Sequence, residues 1–182
     1  MKRIVGRQRW TFVLALVLGL LASPAPAQVL WRGAGYGMGE AQVLERFPQA
    51  RVPASPDELV GGEREGLRLE GVELAGHSFQ ASFFFAGDAL VQVTLSQQAP
   101  RAGRADLRVF ADVADTLQAE HGAPARSEQR EAPLEQRSHE WQVDGTRVAL
   151  VLIEAGASSF VNLLYQVQPP DAPPPVRLHS GD

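Results

Sequence analysis

The chain has no cysteine among its 182 residues. Disulfides, thiolate metal ligands and thiol nucleophiles are therefore excluded, and stability has to come from packing. Lysine is scarce too: Lys2 is the one lysine among 17 basic residues, a compositional bias with no mechanism attached. The apolar run over residues 11–22 is shorter than the roughly 20 residues a membrane-spanning helix needs. There is no G-x-S-x-G elbow for a serine nucleophile and no pair of histidines one helical turn apart for a metal. Residues 28–39 are glycine-rich but lack the lysine of a phosphate loop, so they read as an irregular lead-in whose Trp31 and Tyr36 cover one end of a core.

What is present begins with an export signal. Lys2, Arg3, Arg7 and Arg9 precede the short apolar run without any acid, and Ser23-Pro24-Ala25-Pro26-Ala27 follows it. A basic start, a short hydrophobic segment and small residues at the end make residues 1–27 a secretory signal peptide, with cleavage expected after Ala27. The expected location is periplasmic or secreted, with no lipid anchor and no membrane span left after cleavage. Residues 1–27 hold four of the 17 basic residues and none of the 21 acids, so the remainder carries a formal charge of −8. That balance argues against nucleic acid and anionic membrane as partners.

The remainder is patterned as strands and two helices. Phe79, Ala81, Phe83 and Phe85 alternate with Ser78, Gln80, Ser82 and Phe84, the period of a half-buried strand. Gly87-Asp88 makes a turn, and Val91, Val93 and Leu95 resume the alternation against Gln92, Thr94 and Ser96. Residues 67–74 read as a strand before this hairpin, with a bulge near Gly71 where the alternation changes parity. Residues 40–47 form a short helix ended by Pro48. A longer helix covers 105–121, with Leu107, Phe110, Ala111, Ala114 and Leu117 as its buried stripe and Gly122 as its cap. Residues 125–137 are polar, a loop or a frayed edge strand. His139, Trp141 and Val143 then alternate up to an Asp144-Gly145 turn, and strands over 146–153 and 160–167 follow. Five prolines over 169–175 mark an extended, disordered tail at 169–182.

This order predicts an α+β fold: a tandem of helix plus three-stranded antiparallel meander, about 28–97 and 104–168, joined in one sheet with the helices packed on one face. Residues 28–168 would form a single domain. The opposite sheet face should carry Gln80, Ser82, Phe84, Gln92 and Thr94. Phe84 among small polar groups reads as an interface anchor, so Phe84→Ala should leave folding intact and abolish capture of a partner.

Gly37-Met38-Gly39-Glu40, with Val43 four residues past the glycine and Phe47-Pro48 closing the helix, resembles the helix start of the small periplasmic proteins related to BamE (SmpA/OmlA). Those resemble the β-lactamase inhibitor protein fold, a tandem of helix-plus-meander units. The resemblance covers residues 37–48 by motif and most of 40–167 by element order. It departs where the assembly component is a lipoprotein and a single unit. It implies a fold that binds other proteins through a sheet face or loops, without chemistry.

Chemistry finds little support among the titratable residues. His77, His121, His139 and His179 are scattered, so no metal site or cofactor is expected. Carboxylates such as Glu63 with Glu65, or Asp112 with Asp115, sit in polar stretches and read as solubilising, and Ser158 and Ser159 read as turn residues. The expectation is an exported soluble, non-catalytic protein that binds another envelope protein through a sheet face or loops. A small-molecule or lipid carrier is the first alternative. It needs a cavity between helices and sheet, where Phe79, Phe83, Phe85, Phe110 and Trp141 are bulky enough to fill the space. A hydrolase is the second, and needs a pocket gathering His77 or His139 with an acid.

Overall fold

The computed structural model describes residues 28–97, 104–132, 134–155 and 158–167. The expected signal segment, the proline-rich tail and His179 lie outside the described residues. Two short strands, β1 (Val29–Trp31) and β2 (Ala34–Gly35), pair as an antiparallel ribbon ahead of α1 (Glu40–Arg46). Then come β3 (Arg64–Leu74), β4 (His77–Ala86), β5 (Ala89–Gln97) and α2 (Arg104–His121). β6 (Arg126–Arg130), β7 (Glu135–Val143), β8 (Thr146–Ala155) and β9 (Ser158–Val167) complete the order. Seven strands form one antiparallel sheet, β3-β4-β5-β9-β8-β7-β6, with the last strand at its centre.

The expected tandem of helix plus three-stranded meander is overturned. The described residues are mostly sheet, a large seven-stranded one plus a separate two-stranded one, with four strands after α2. Two physical reasons explain the miss. Edge strand β6, Arg-Ser-Glu-Gln-Arg, has no buried residue and so carries no hydrophobic period. β1 and β2 are too short to show one.

Local chemistry accounts for the hairpins. Ala75 and Gly76 (φ 51° and 75°) join β3 to β4, and Asp144 and Gly145 (φ 48° and 80°) join β7 to β8. Both pairs have the two positive φ values of the turn that matches strand twist. The register of β3 on β4 shifts between Leu69 and Val72, with Gly71 at φ 68°. A second shift, between Phe84 and Phe85 against β5, puts Leu90 rather than Val91 into the core: Leu90 is buried and Val91 half-buried.

One face of the sheet carries the core. Phe79, Ala81, Phe83, Phe85, Leu95, Leu150, Leu152 and Leu163 are all buried in one cluster that both helices join. α1 contributes Val43, and just beyond it Phe47 packs on Phe83 and stacks on Trp31, with centroids 5.2 and 5.5 Å apart. The buried side of α2 is Val109, Phe110, Val113 and Leu117, a stripe rotated from the expected one, and Ala111 faces solvent. Gly66 is required beneath α1, because a Cβ there would lie 2.4 Å from Glu40 Oε1 and 2.9 Å from the Phe85 ring.

Candidate functional site

The other sheet face has no described helix against it. In register, one row crosses all seven strands: Arg68, Ser82, Thr94, Leu164, Ala149, Glu140 and Arg126. The neighbouring row joins Glu65, Phe84, Gln92, Gln166 and Arg147, and the next joins Gln80, Ser96, Asn162 and Val151. Strand pairing therefore brings Gln80, Ser82, Phe84, Gln92 and Thr94 together on this open face. Their accessibility differs from the sequence reading. Phe84 and Ser82 are each 4% exposed and Gln92 8%. Phe84 is therefore not a free anchor. The exposed aromatic is Phe160, 42% accessible and paired in register with Ile153. Together with half-buried Val151 and Leu164 it makes an apolar strip down the centre of the face.

The polar groups around this strip are largely committed to one another. Arg68 Nε donates to Glu65 Oε1 at 2.7 Å, and Arg68 Nη2 reaches Glu65 Oε2. Glu65 also accepts from the Asp57 backbone at 3.1 Å, fixing the segment before β3. Burial pushes the Glu65 carboxyl up, but hydrogen bonds from Arg68, Ser82 and Asp57, with the Arg68 charge, together hold it below the ordinary range. Glu65 is 3% exposed, so its reading as a solubilising residue is corrected. With its amide oriented to suit its neighbours, Gln80 donates to Glu70 Oε1 at 3.1 Å and accepts from Arg68 Nε at 3.2 Å. Gln92 Nε2 donates to Thr94 Oγ1 at 2.9 Å. On the far flank Arg147 pairs with Glu140, and Arg126 with Glu128.

His77, His139 and Ser159 are each tied to structure. His77 Nε2 lies 2.9 Å from Asp112 Oδ2 and links the start of β4 to α2. His139 Nδ1 lies 2.8 Å from Ser127 Oγ, and its ring packs on Phe110 and Trp141. Three strands separate β4 from β7, so His77 and His139 are not cross-strand neighbours. Ser159 is buried and donates to the buried Asp106 carboxylate. Among the described residues no three His, Asp or Glu side chains gather as metal ligands would, and no helix is long and apolar enough to cross a membrane.

A second feature had no signal in the sequence. A cleft of about 790 Å³ opens at the carboxyl end of α2, between Leu117, Glu120 and His121, the β1 segment from Gln28 to Arg32, and the turn joining β7 to β8. Its floor includes buried Leu30, Trp31, Val148 and Tyr165. Hydrogen bonds hold its walls: Thr146 Oγ1 to the Val29 carbonyl at 2.8 Å and Gln28 Nε2 to the Asp144 carbonyl at 3.1 Å. Arg32 lies over the Trp31 ring, 5.0 Å from its centroid, and donates to the Glu73 carbonyl at 3.3 Å. Tyr165 sits there with its phenol pushed well up by burial and by the Glu120 charge, so it stays protonated. The five large aromatics expected to fill the interior do so: Phe79, Phe83, Phe85, Phe110 and Trp141 are all in the core cluster. The cleft lies at the end of that core.

Compared with protein-family models, with curated proteins and with solved structures, the chain matches none. No match identifies a BamE-like family, so what that resemblance implies enters only as part of a proposal.

Proposed function

We propose that this is an exported, non-catalytic binding protein whose open sheet face docks on a folded protein of the same envelope compartment. The supporting observation is the placement of both helices in one core cluster, which leaves the opposite face of a seven-stranded sheet with an apolar strip and an exposed Phe160. Seven strands spaced about 4.8 Å apart are roughly 29 Å across. A face of that width, with strands of nine or ten residues, is large enough for the roughly 800 Å² that each partner buries in a standard interface.

Both edges of the sheet are poor docking sites by comparison. Backbone bridges from Arg51 to Arg68 and from Glu58 to Arg64 occupy parts of the outer edge of β3. The β6 edge presents Arg126, Glu128 and Arg130, charges that discourage strand addition. The flanking ion pairs on the face are satisfied internally, so recognition would rest on apolar contact and shape, centred on Phe160, Ile153 and Leu164.

The test is co-purification from native cells with wild type, Phe160→Asp, and Ala111→Asp on the solvent side of α2. A protein retained by wild type and by Ala111→Asp but lost with Phe160→Asp fits the proposal. Equal retention by all three, with the variants folded, removes the open face as the docking surface.

A further inference from the structure

The cleft at the carboxyl end of α2 is separate from the open face, since its lining residues Leu117, Val148 and Tyr165 point into the core side of the sheet. Its volume, about 790 Å³, lies within the range of sites that enclose a small organic molecule. Its walls are part of the framework: Leu117 is 1% exposed and Val148 2%, and the two hydrogen bonds to backbone carbonyls brace the rim. A site built from core residues exists before its ligand arrives, which limits the ordering cost of binding.

The chemistry of the lining selects the ligand class. The floor is aliphatic and aromatic, and the rim includes the charged residues Arg32, Glu120 and Asp144, with His121. Arg32 is engaged with Trp31 and the Glu73 carbonyl, and His121 lies 3.9 Å from Glu120. Arg32, Glu120 and Asp144 are all exposed, so these charges stand in water at the mouth of the cleft and not on its apolar floor. The Tyr165 hydroxyl has no hydrogen-bond partner among the described residues, and it remains a neutral donor. An apolar molecule with one acceptor oxygen matches this lining, while a carboxylate or an ammonium would lose hydration without a dedicated partner.

We infer that the cleft binds a small uncharged amphipathic molecule, its apolar body against Leu30, Leu117 and Val148 and its acceptor oxygen on the Tyr165 hydroxyl. Such a ligand is of the class of medium-chain ketones, esters and alcohols. The inference stands independently of the role given to the open face.

The test uses the purified protein and the uncharged fluorophore N-phenyl-1-naphthylamine, displaced in turn by 2-undecanone. Saturable one-site binding of the fluorophore in roughly the micromolar range is the expected result. Leu74→Trp, which adds bulk to a half-buried wall position, should weaken it at least about ten-fold. Val29→Trp, at an exposed position on the same rim, gives a second version of this test should Leu74→Trp not fold. Phe160→Asp should change nothing. Tyr165→Phe should leave fluorophore binding intact but weaken displacement by the ketone roughly five-fold, the scale of one lost hydrogen bond. Absence of saturable binding by folded protein, or binding unaltered in the folded bulky variant, overturns the site. Unchanged ketone displacement in Tyr165→Phe overturns the assignment of ligand class.

Discussion

Glu65 and Arg68 meet on the open side of β3 as a two-pronged pair, Arg68 Nε on Oε1 at 2.7 Å and Nη2 on Oε2. The carboxylate side chain is fully buried, while the guanidinium side chain remains 23% exposed. Removing the cation leaves a buried charge without its partner, so Arg68→Ala should destabilise by about 2–3 kcal/mol, toward the low end for buried pairs because Arg68 still touches water. Glu65→Gln should cost less. Urea unfolding of both variants checks the order.

The same pair sets an acid limit. The Glu65 carboxyl titrates lower in the folded state than its ordinary value of 4.5, so the unfolded state takes up its proton first as pH falls. Its stabilising contribution is complete above about pH 4.5 and is lost as pH drops through the folded value. Glu65→Gln should flatten the acid limb of a stability profile. A limb of unchanged steepness would show that other carboxylates govern it.

His139 behaves in the same direction at higher pH. Burial against Phe110 and Trp141 lowers its folded pKa below 6.5, so the unfolded chain binds the proton more readily. Stability should fall as pH decreases from about 6.5 through the folded value, and His139→Gln should remove that slope. An imidazole NMR titration should place the His139 midpoint below 6.5.

Phe84 and Phe160 separate packing from recognition. Phe84 is 4% exposed although it lies on the open face, so Phe84→Ala truncates a buried ring and should cost about 3–4 kcal/mol, contrary to the sequence-based expectation that folding would survive intact. Phe160→Ala removes a ring that is 42% exposed and should cost under about 1 kcal/mol. Thermal melts of the two variants measure the contrast.

These contrasts mark how far residue patterns carry. The alternation through Phe79 and Phe83, the Asp144-Gly145 turn and the parity change at Gly71 were legible because each expresses a local rule of strand and turn geometry. The placement of Gln80, Ser82, Phe84, Gln92 and Thr94 on one face followed from the same period. The burial of Ser82, Phe84 and Gln92 did not, because it depends on contacts between strands, such as the hydrogen bond of Ser82 to the Glu65 carboxylate. The sequence over β6 is equally that of a loop or a frayed edge strand, since an edge needs no apolar side. The 790 Å³ cleft joins Gln28, Leu117 and Tyr165, residues far apart in sequence, and no spacing rule could gather them.

The docking role of the open face is tested most directly by photo-crosslinking in native cells, with a photoreactive residue at Phe160, at Ile153, or at Arg108 on the exposed side of α2. The account predicts one discrete adduct, the same from Phe160 and Ile153, and none from Arg108. Adducts from Arg108 alone, or no adduct from either sheet position, would contradict it.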